Sequence, residues 1–221
     1  MKSARTIFFT ALIFSIAFFS SCGKKKEVIR SGVVEFMGDK WNEEFYIDHD
    51  SAFVEYRYPG TGELFYYARA ASQKEMNDST FSAVYYYRNG KIHASFSKEK
   101  KIPCGTWIEN FESGAKGSST EFKNGSMVSI TTWWENGKVH VESHTEADGR
   151  MLHNEFYENG NPSQQLMMDS TWKGSCVNFF RNGKKQSEGN SMMGSPAGIW
   201  HRWDSLGNAL RDTLYGLPEL K

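Results

Sequence analysis

The feature that most constrains this chain is a tight turn that recurs at a regular interval. Four Asn-Gly pairs each follow one or two aromatic residues, and two further glycines fall at the same phase without the asparagine. The turn glycines are Gly90, Gly114, Gly137, Gly160, Gly183 and Gly207, each 23 or 24 residues after the one before. A period this regular is typical of a repeat protein, in which each unit buries its apolar side only against its neighbours.

The residues between these turns predict strands. After Gly137, the apolar Val139 and Val141 alternate with the polar His140 and Glu142. A period of two is typical of half-buried strands, and Asn-Gly favours a type I′ turn with positive φ at both central residues. No stretch after the N-terminal segment shows a capped, amphipathic helical pattern. The sequence therefore predicts an all-β fold, an elongated antiparallel meander of hairpin repeats of about 23 residues.

The N-terminus has the pattern of an export signal. Lys2 and Arg5 precede an almost wholly apolar run over residues 7–19, which is shorter than the roughly 20 residues that a membrane-spanning helix needs. The following Phe-Ser-Ser-Cys, ending at Cys22, resembles the lipobox of bacterial lipoproteins, whose cysteine carries the lipid. We expect residues 1–21 to be a lipoprotein signal peptide, Cys22 to be lipidated, and the protein to sit at the outer membrane, facing the periplasm or the surface. A plain secretory signal is the alternative.

The rest of the chain divides by its repeats. Residues 22–32 are rich in lysine and predict a flexible, lipidated tether. Residues 33–215 predict the repeat domain, of which residues 33–80 form degenerate units. One early unit is longer than the others, and the polar stretch over residues 73–78 predicts an extended hairpin loop there.

The charge of the chain limits its possible partners, and the spacing of its cysteines predicts their oxidation state. Without Lys2 and Arg5 the chain carries 24 basic and 26 acidic residues, which gives no support for nucleic-acid binding. We expect a monomer that touches the membrane through its N-terminal lipid and binds a protein. Cys104 and Cys176 lie three repeats apart, about 29 Å in such a meander, so both are expected to be free thiols.

A second motif supports a family resemblance. Gly105-Thr106-Trp107 and Gly198-Ile199-Trp200 each begin nine residues before a turn glycine. Gly-x-Trp, an aromatic pair and Asn-Gly-Lys together resemble the MORN-variant repeat of YwqK-family antitoxins and of many bacterial lipoproteins. The resemblance covers about residues 80–210 and, more weakly, 33–80. It implies a non-enzymatic binding or scaffolding protein without a cofactor; an antitoxin or immunity role and an envelope scaffold are both compatible with it.

The aromatic pair before each turn places one ring on each face of the sheet, because neighbouring strand residues point to opposite faces. The first stripe is Tyr86, Trp133, Phe156, Phe179 and Trp203. The second stripe is Tyr87, Phe111, Trp134, Tyr157 and Phe180. Residues beside the second stripe are the more polar, so we predict that the first stripe is internal and that the second faces solvent or a protein partner. Packing of both stripes is the alternative.

A cluster of possible metal ligands surrounds the turn at residues 148–149. If Ala147 pairs with Arg150 across this turn, His144 lies opposite His153 and Glu142 lies opposite Glu155. Opposed carboxylates repel each other, and a divalent ion such as zinc would relieve the repulsion. This predicts, as an alternative function, a metal-dependent envelope enzyme; a solvated polar face is the other interpretation.

Overall fold

The computed structural model describes residues 26–216, which form one antiparallel sheet of 16 strands in sequence order. The strands are β1 Glu27–Phe36, β2 Asp39–Asp48, β3 Ser51–Arg57, β4 Leu64–Ala70, β5 Phe81–Tyr86, β6 Ile92–Glu99, β7 Ile102–Asn110, β8 Lys116–Lys123, β9 Ser126–Trp133, β10 Val139–Thr145, β11 Met151–Phe156, β12 Pro162–Met168, β13 Lys173–Phe179, β14 Lys185–Met192, β15 Ser195–Trp203 and β16 Ala209–Tyr215. The predicted all-β meander of hairpins is confirmed. The predicted signal peptide, Cys22 and residues 22–25 of the tether lie outside the described residues.

One short helix interrupts the strands where a plain loop was predicted. Helix α1, Gln73–Asn77, lies between β4 and β5. The Ser72 hydroxyl accepts a hydrogen bond from the Glu75 amide at 3.2 Å, and the Glu75 carboxylate accepts one from the Ala71 amide at 3.2 Å. This reciprocal cap satisfies free amides at the start of the helix. Within residues 26–216, no helix has the length and apolarity needed to cross a bilayer.

The tether prediction is wrong for residues 27–32, which belong to β1 and pair with β2. The Arg30 guanidinium donates to the Glu43 carboxylate at 3.0 Å, and Glu43 is only 5% exposed. A buried carboxylate is costly without a cation beside it. The ion pair therefore helps to hold β1 on the sheet.

The four recurring Asn-Gly turns are not of the predicted type I′. In the first of them, the Tyr87 amide donates to the Lys91 carbonyl and the Gly90 amide donates to the Tyr87 carbonyl, both at 2.9 Å. Only the glycine has positive φ, 80° at Gly90, whereas the asparagine does not. The turn is thus a type I turn followed by a left-handed glycine, a common three-residue hairpin loop. The Asn89 side-chain oxygen fixes it by accepting from the Lys91 amide at 3.0 Å.

A β-bulge follows each of the four recurring Asn-Gly turns and also the turns that end at Gly62 and Gly114. In each case the bulged residue lies three residues after the glycine. The three-residue loop shifts the strand pairing by one residue relative to a two-residue loop, and the extra residue of the bulge restores that pairing. For example, Tyr86 pairs with Ile92 but Tyr85 pairs with Ala94, which leaves His93 unpaired. The bulged residues are Phe65, His93, Gly117, His140, Ser163 and Gln186.

Positive φ at both turn residues, as in type I′, occurs at Met37-Gly38 between β1 and β2 and at four turns at the opposite edge of the sheet. Both residues of the two-residue turns Lys100-Lys101 and Asn124-Gly125 have positive φ. The turns at residues 49–50 and 193–194 share this geometry. The sequence analysis overlooked Asn124-Gly125, an Asn-Gly pair that lies outside the main phase.

Neighbouring Asn-Gly turns are joined by side chains. The Asn89 amide donates to the Glu112 carbonyl at 3.1 Å, and the Lys91 ammonium donates to the Ser113 carbonyl at 2.6 Å. The asparagine bond recurs from Asn136 to Glu158, from Asn159 to Arg181 and from Asn182 to Ser205. In the described chain this ladder is interrupted once, between the turn at residues 111–115 and the next, because Ser113 and Ala115 replace the asparagine and the lysine.

One face of the sheet, which we call the packed face, carries most of the buried residues. In its N-terminal half a cross-strand row links Phe45, Val54, Ala68, Ala83 and Phe96. Aromatic rings cover this row, and the Phe36 ring on β1 lies 5.7 Å from the Tyr66 ring on β4. Strands three places apart in a flat sheet would be about 14 Å apart, so the sheet curls toward its packed face.

In the C-terminal half the packed face continues through Leu166, Cys176, Gly189 and Trp200. Gly198 has a φ of 70°, at the bulge in this strand pair, and the Trp200 indole then donates to the carbonyl of Asn190 at 2.9 Å. A Cβ on Gly189 would lie 2.5 Å from the Trp200 ring. The Gly-x-Trp motif therefore lays an indole across the preceding strand.

This packing predicts a contrast between two glycine substitutions. Gly189→Ala should lower the free energy of unfolding by about 1–3 kcal/mol, because the methyl group overlaps the Trp200 ring. Gly32→Ala, on β1 with open space around it, should leave stability unchanged or raise it by about 0.4–1 kcal/mol. Urea denaturation measures both. Equal effects would show that the indole does not lie on Gly189.

The interrupted ladder predicts a stabilising double substitution. Ser113→Asn with Ala115→Lys should add bonds to the next turn and raise the free energy of unfolding by about 0.5–1.5 kcal/mol, seen as a higher Tm. Leu206→Asn is the control, because no further Asn-Gly turn follows it in the described chain. A Tm gain in the control as large as in the double variant would contradict a role for turn-to-turn bonds.

Candidate functional site

The second aromatic stripe lies on the packed face, and the prediction that it faces away from the interior is wrong. All five residues are half-buried. The hydroxyl or indole N–H of Tyr87, Trp134 and Tyr157 donates to the carbonyl of Asn110, Phe156 and Phe179 at 2.6, 3.1 and 2.8 Å, respectively. Each of these side chains therefore bonds to the following repeat. The first stripe lies on the other face and is also half-buried.

The bulged residues place imidazoles over two rings of the second stripe. The His93 ring lies 4.4 Å from the Tyr87 ring, and the His140 ring lies 3.9 Å from the Trp134 ring. A bulge turns the extra side chain toward the start of its own hairpin. In the sequence, both histidines lie three residues after a turn glycine. The alternation of polar and apolar residues alone did not indicate that they cover a ring.

The repeat between these two stacks lacks such a cover. Its bulged residue is Gly117, so no side chain from that position lies over the Phe111 ring. A groove of about 500 Å³ opens there, and we call it the Gly117 groove. Its walls include Tyr87, His93 and His140, and its floor includes Glu109, Ser118 and Thr132.

The floor of the Gly117 groove is polar. The Ser118 hydroxyl donates to the exposed Glu109 carboxylate at 3.4 Å, near the limit for a hydrogen bond. No lysine, arginine or histidine of the described chain forms an ion pair with Glu109. The Thr132 hydroxyl oxygen is buried and has no hydrogen-bond partner within residues 26–216. The groove thus presents an exposed carboxylate that the protein itself does not pair with a cation, above a buried hydroxyl without a partner.

An apolar groove of about 390 Å³ adjoins it over β4–β7, and we call it the aromatic groove. Its floor contains the rings of Phe65, Tyr85, Phe96 and Trp107. The Tyr85 and Phe96 rings lie 5.8 Å apart, and Phe96 and Trp107 lie 5.0 Å apart. Both grooves share Glu109 at their junction. Together they form a continuous concave surface with an apolar end and a polar end.

The predicted metal cluster does not assemble. Ser143, not His144, pairs with His153, and His144 pairs with Leu152. The two imidazoles therefore point to opposite faces of the sheet. The cause is the turn, in which the Glu146 amide donates to the Arg150 carbonyl at 2.7 Å. This closure shifts the register by one residue, and no bulge restores it.

The two glutamates are separated by the same shift. Glu142 pairs with Asn154, whereas Glu155 pairs with Val141 on the other face. His153 contacts Glu155 at 3.0 Å. Among residues 26–216, no group of three or more histidine, cysteine or acidic side chains is placed to hold a metal ion.

Cys104 and Cys176 are both free thiols. Burial raises the pKa of each above its ordinary value. A raised pKa lowers the thiolate fraction, and the thiolate is the nucleophile. Neither thiol is activated by its surroundings.

Fold and site together define a class of protein, a single curled sheet of hairpin repeats with a groove where one repeat departs from the pattern. Comparison with known proteins adds no family: no protein-family model matches the chain, and no curated protein matches it.

The tyrosines of the packed face predict loss of stability in alkali. Burial is the main cause that raises the pKa of Tyr56, Tyr66 and Tyr85. Above a pH of about 10, tyrosines of the unfolded chain ionise while these three stay protonated, so the free energy of unfolding should fall as pH rises. Circular dichroism and phenolate absorbance are followed together, and the last part of the phenolate rise, from the buried tyrosines, should coincide with loss of the sheet. Phenolate absorbance that rises fully while the sheet persists would contradict the burial.

Proposed function

We propose that this chain is a lipid-anchored, non-enzymatic protein that binds a protein partner at the bacterial cell envelope through its packed face. The observation that carries the proposal is the break in the repeat at Gly117, which opens a groove beside half-buried aromatic rings. Packing alone does not call for a glycine at this bulge, where the two neighbouring repeats carry histidine. Concave, aromatic-rich surfaces with a few polar groups are typical of binding sites.

The shape of the surface favours a protein chain as the ligand. The two grooves run side by side across β4–β10, and both are open to solvent along their length. Aromatic anchors surrounded by polar groups are typical of protein interfaces. The MORN-variant resemblance supports the same class, and it is compatible with an antitoxin or immunity role and with an envelope scaffold.

The alternative, a metal-dependent enzyme, loses its structural basis. Its four ligands were expected on one face, and the register divides them between two faces. Binding is the function that the remaining geometry supports.

The test uses the full chain in its native membrane and compares two neighbouring substitutions. Ser118→Tyr should fill the Gly117 groove and abolish capture of the cross-linked partner. Ser119→Tyr, at the adjacent half-buried position on the opposite face, should leave capture unchanged. Cys22→Ser should release the chain from carbonate-washed membranes without affecting the fold.

Three results would argue against the proposal. Equal capture by both tyrosine variants would remove the grooves as the binding surface. Equal loss, with Tm unchanged, would place the surface on both faces. Retention of the Cys22→Ser variant in washed membranes would reject the lipid anchor.

A further inference from the structure

We propose that the Gly117 groove binds an arginine side chain of the partner, with its guanidinium between the Glu109 carboxylate and the Phe111 ring. The inference rests on the proposed function and specifies the chemistry of the partner at that site. Three features of the groove lead to it: its charge, its uncovered ring and a contact of the same kind elsewhere in the sheet.

The charge of the groove favours a cation. Glu109 is the only carboxylate among the residues that line it, and no lysine or arginine lines it. The Glu109 carboxylate is exposed, and its one side-chain hydrogen bond is the 3.4 Å contact with Ser118. A guanidinium can donate two parallel hydrogen bonds to such a carboxylate.

The uncovered ring favours a flat cation. In the repeats on either side, an imidazole lies 4.4 Å from the Tyr87 ring and 3.9 Å from the Trp134 ring. At Phe111 the corresponding position is Gly117, so the planar cover is missing. A planar guanidinium can stack on an aromatic face in its place, with a cation–π contribution.

The sheet already contains a contact of this kind at the same edge. The Arg88 guanidinium lies over the Tyr58 ring, 4.7 Å from its centroid. Tyr58 begins the turn of an earlier repeat, as Phe111 begins its own. The Gly117 groove offers the same type of ring together with a carboxylate and no internal arginine to occupy it.

The experiment titrates the ¹⁵N-labelled full chain with Nα-acetylarginine amide and with its neutral citrulline counterpart. We expect saturable amide shifts at Glu109, Phe111 and Ser118 with the arginine probe, and at least tenfold weaker binding of citrulline. Glu109→Gln should weaken the arginine probe about tenfold, the effect of losing one hydrogen bond to a charged group. Glu121→Gln is the matched control, because Glu121 is equally exposed on the opposite face and accepts from the Ser129 hydroxyl at 3.5 Å.

A second variant tests the uncovered ring. Gly117→His should restore the imidazole cover and block the probe while the fold persists, since histidine occupies the same bulge at His93 and His140. Its Cβ would lie 3.2 Å from the Glu109 carbonyl oxygen, a contact that needs only a small adjustment. The Glu109→Gln result stands independently if this variant misfolds.

Each other outcome overturns the inference. Equal binding of arginine and citrulline would show that charge is not recognised. Absence of saturable binding, or shifts confined to other strands, would remove the site. If partner capture is lost in Ser118→Tyr but retained in Glu109→Gln, the arginine inference fails and the proposed function stands. If capture survives both, the proposed function fails as well.

Discussion

The structure depends on how each hairpin closes. A type I turn followed by a left-handed glycine pairs residues four apart, for example Tyr87 with Lys91, whereas a type I′ turn would pair residues three apart. The difference of one residue decides which side chains share a face. At the Asn-Gly turns a bulge cancels the shift; at the turn over residues 146–150 nothing does, and the register of β10 and β11 changes accordingly.

That bulge also creates the candidate site. It recurs at one phase, and in two repeats it places an imidazole over the second aromatic of its own turn, with His93 over Tyr87 and His140 over Trp134. Where the bulged residue is Gly117, the cover is absent and a groove appears. The turn-to-turn ladder is interrupted at the same repeat, because Ser113 and Ala115 replace the usual asparagine and lysine. One repeat therefore departs from the packing pattern in several ways, which suits a unit used for binding rather than for support.

Much of the fold could be predicted from the sequence because the period of the turns and the alternation between them are local signals. The face that paired side chains share could not be predicted. It depends on whether the turn has two or three residues, and an Asn-Gly pair is compatible with both. That choice of turn explains why His144 and His153 do not meet. The second stripe could not be assigned from its polar neighbours, because Glu109, Thr132 and Glu155 lie on the packed face with it. The first part of β1, residues 27–32, was assigned to the tether because its order comes partly from the long-range pair of Arg30 with Glu43. The Gly117 groove was missed because an absent side chain gives no motif.

The register between β10 and β11 tests this account most directly, because it follows from hairpin closure alone. In an antiparallel pair, backbone Hα and amide protons of directly opposed residues give short cross-strand contacts in nuclear Overhauser spectra. The account predicts contacts that pair Ser143 with His153 and His144 with Leu152. Contacts that instead pair His144 with His153 would contradict it, since they would require a two-residue turn, reverse the faces of one strand and bring both imidazoles together.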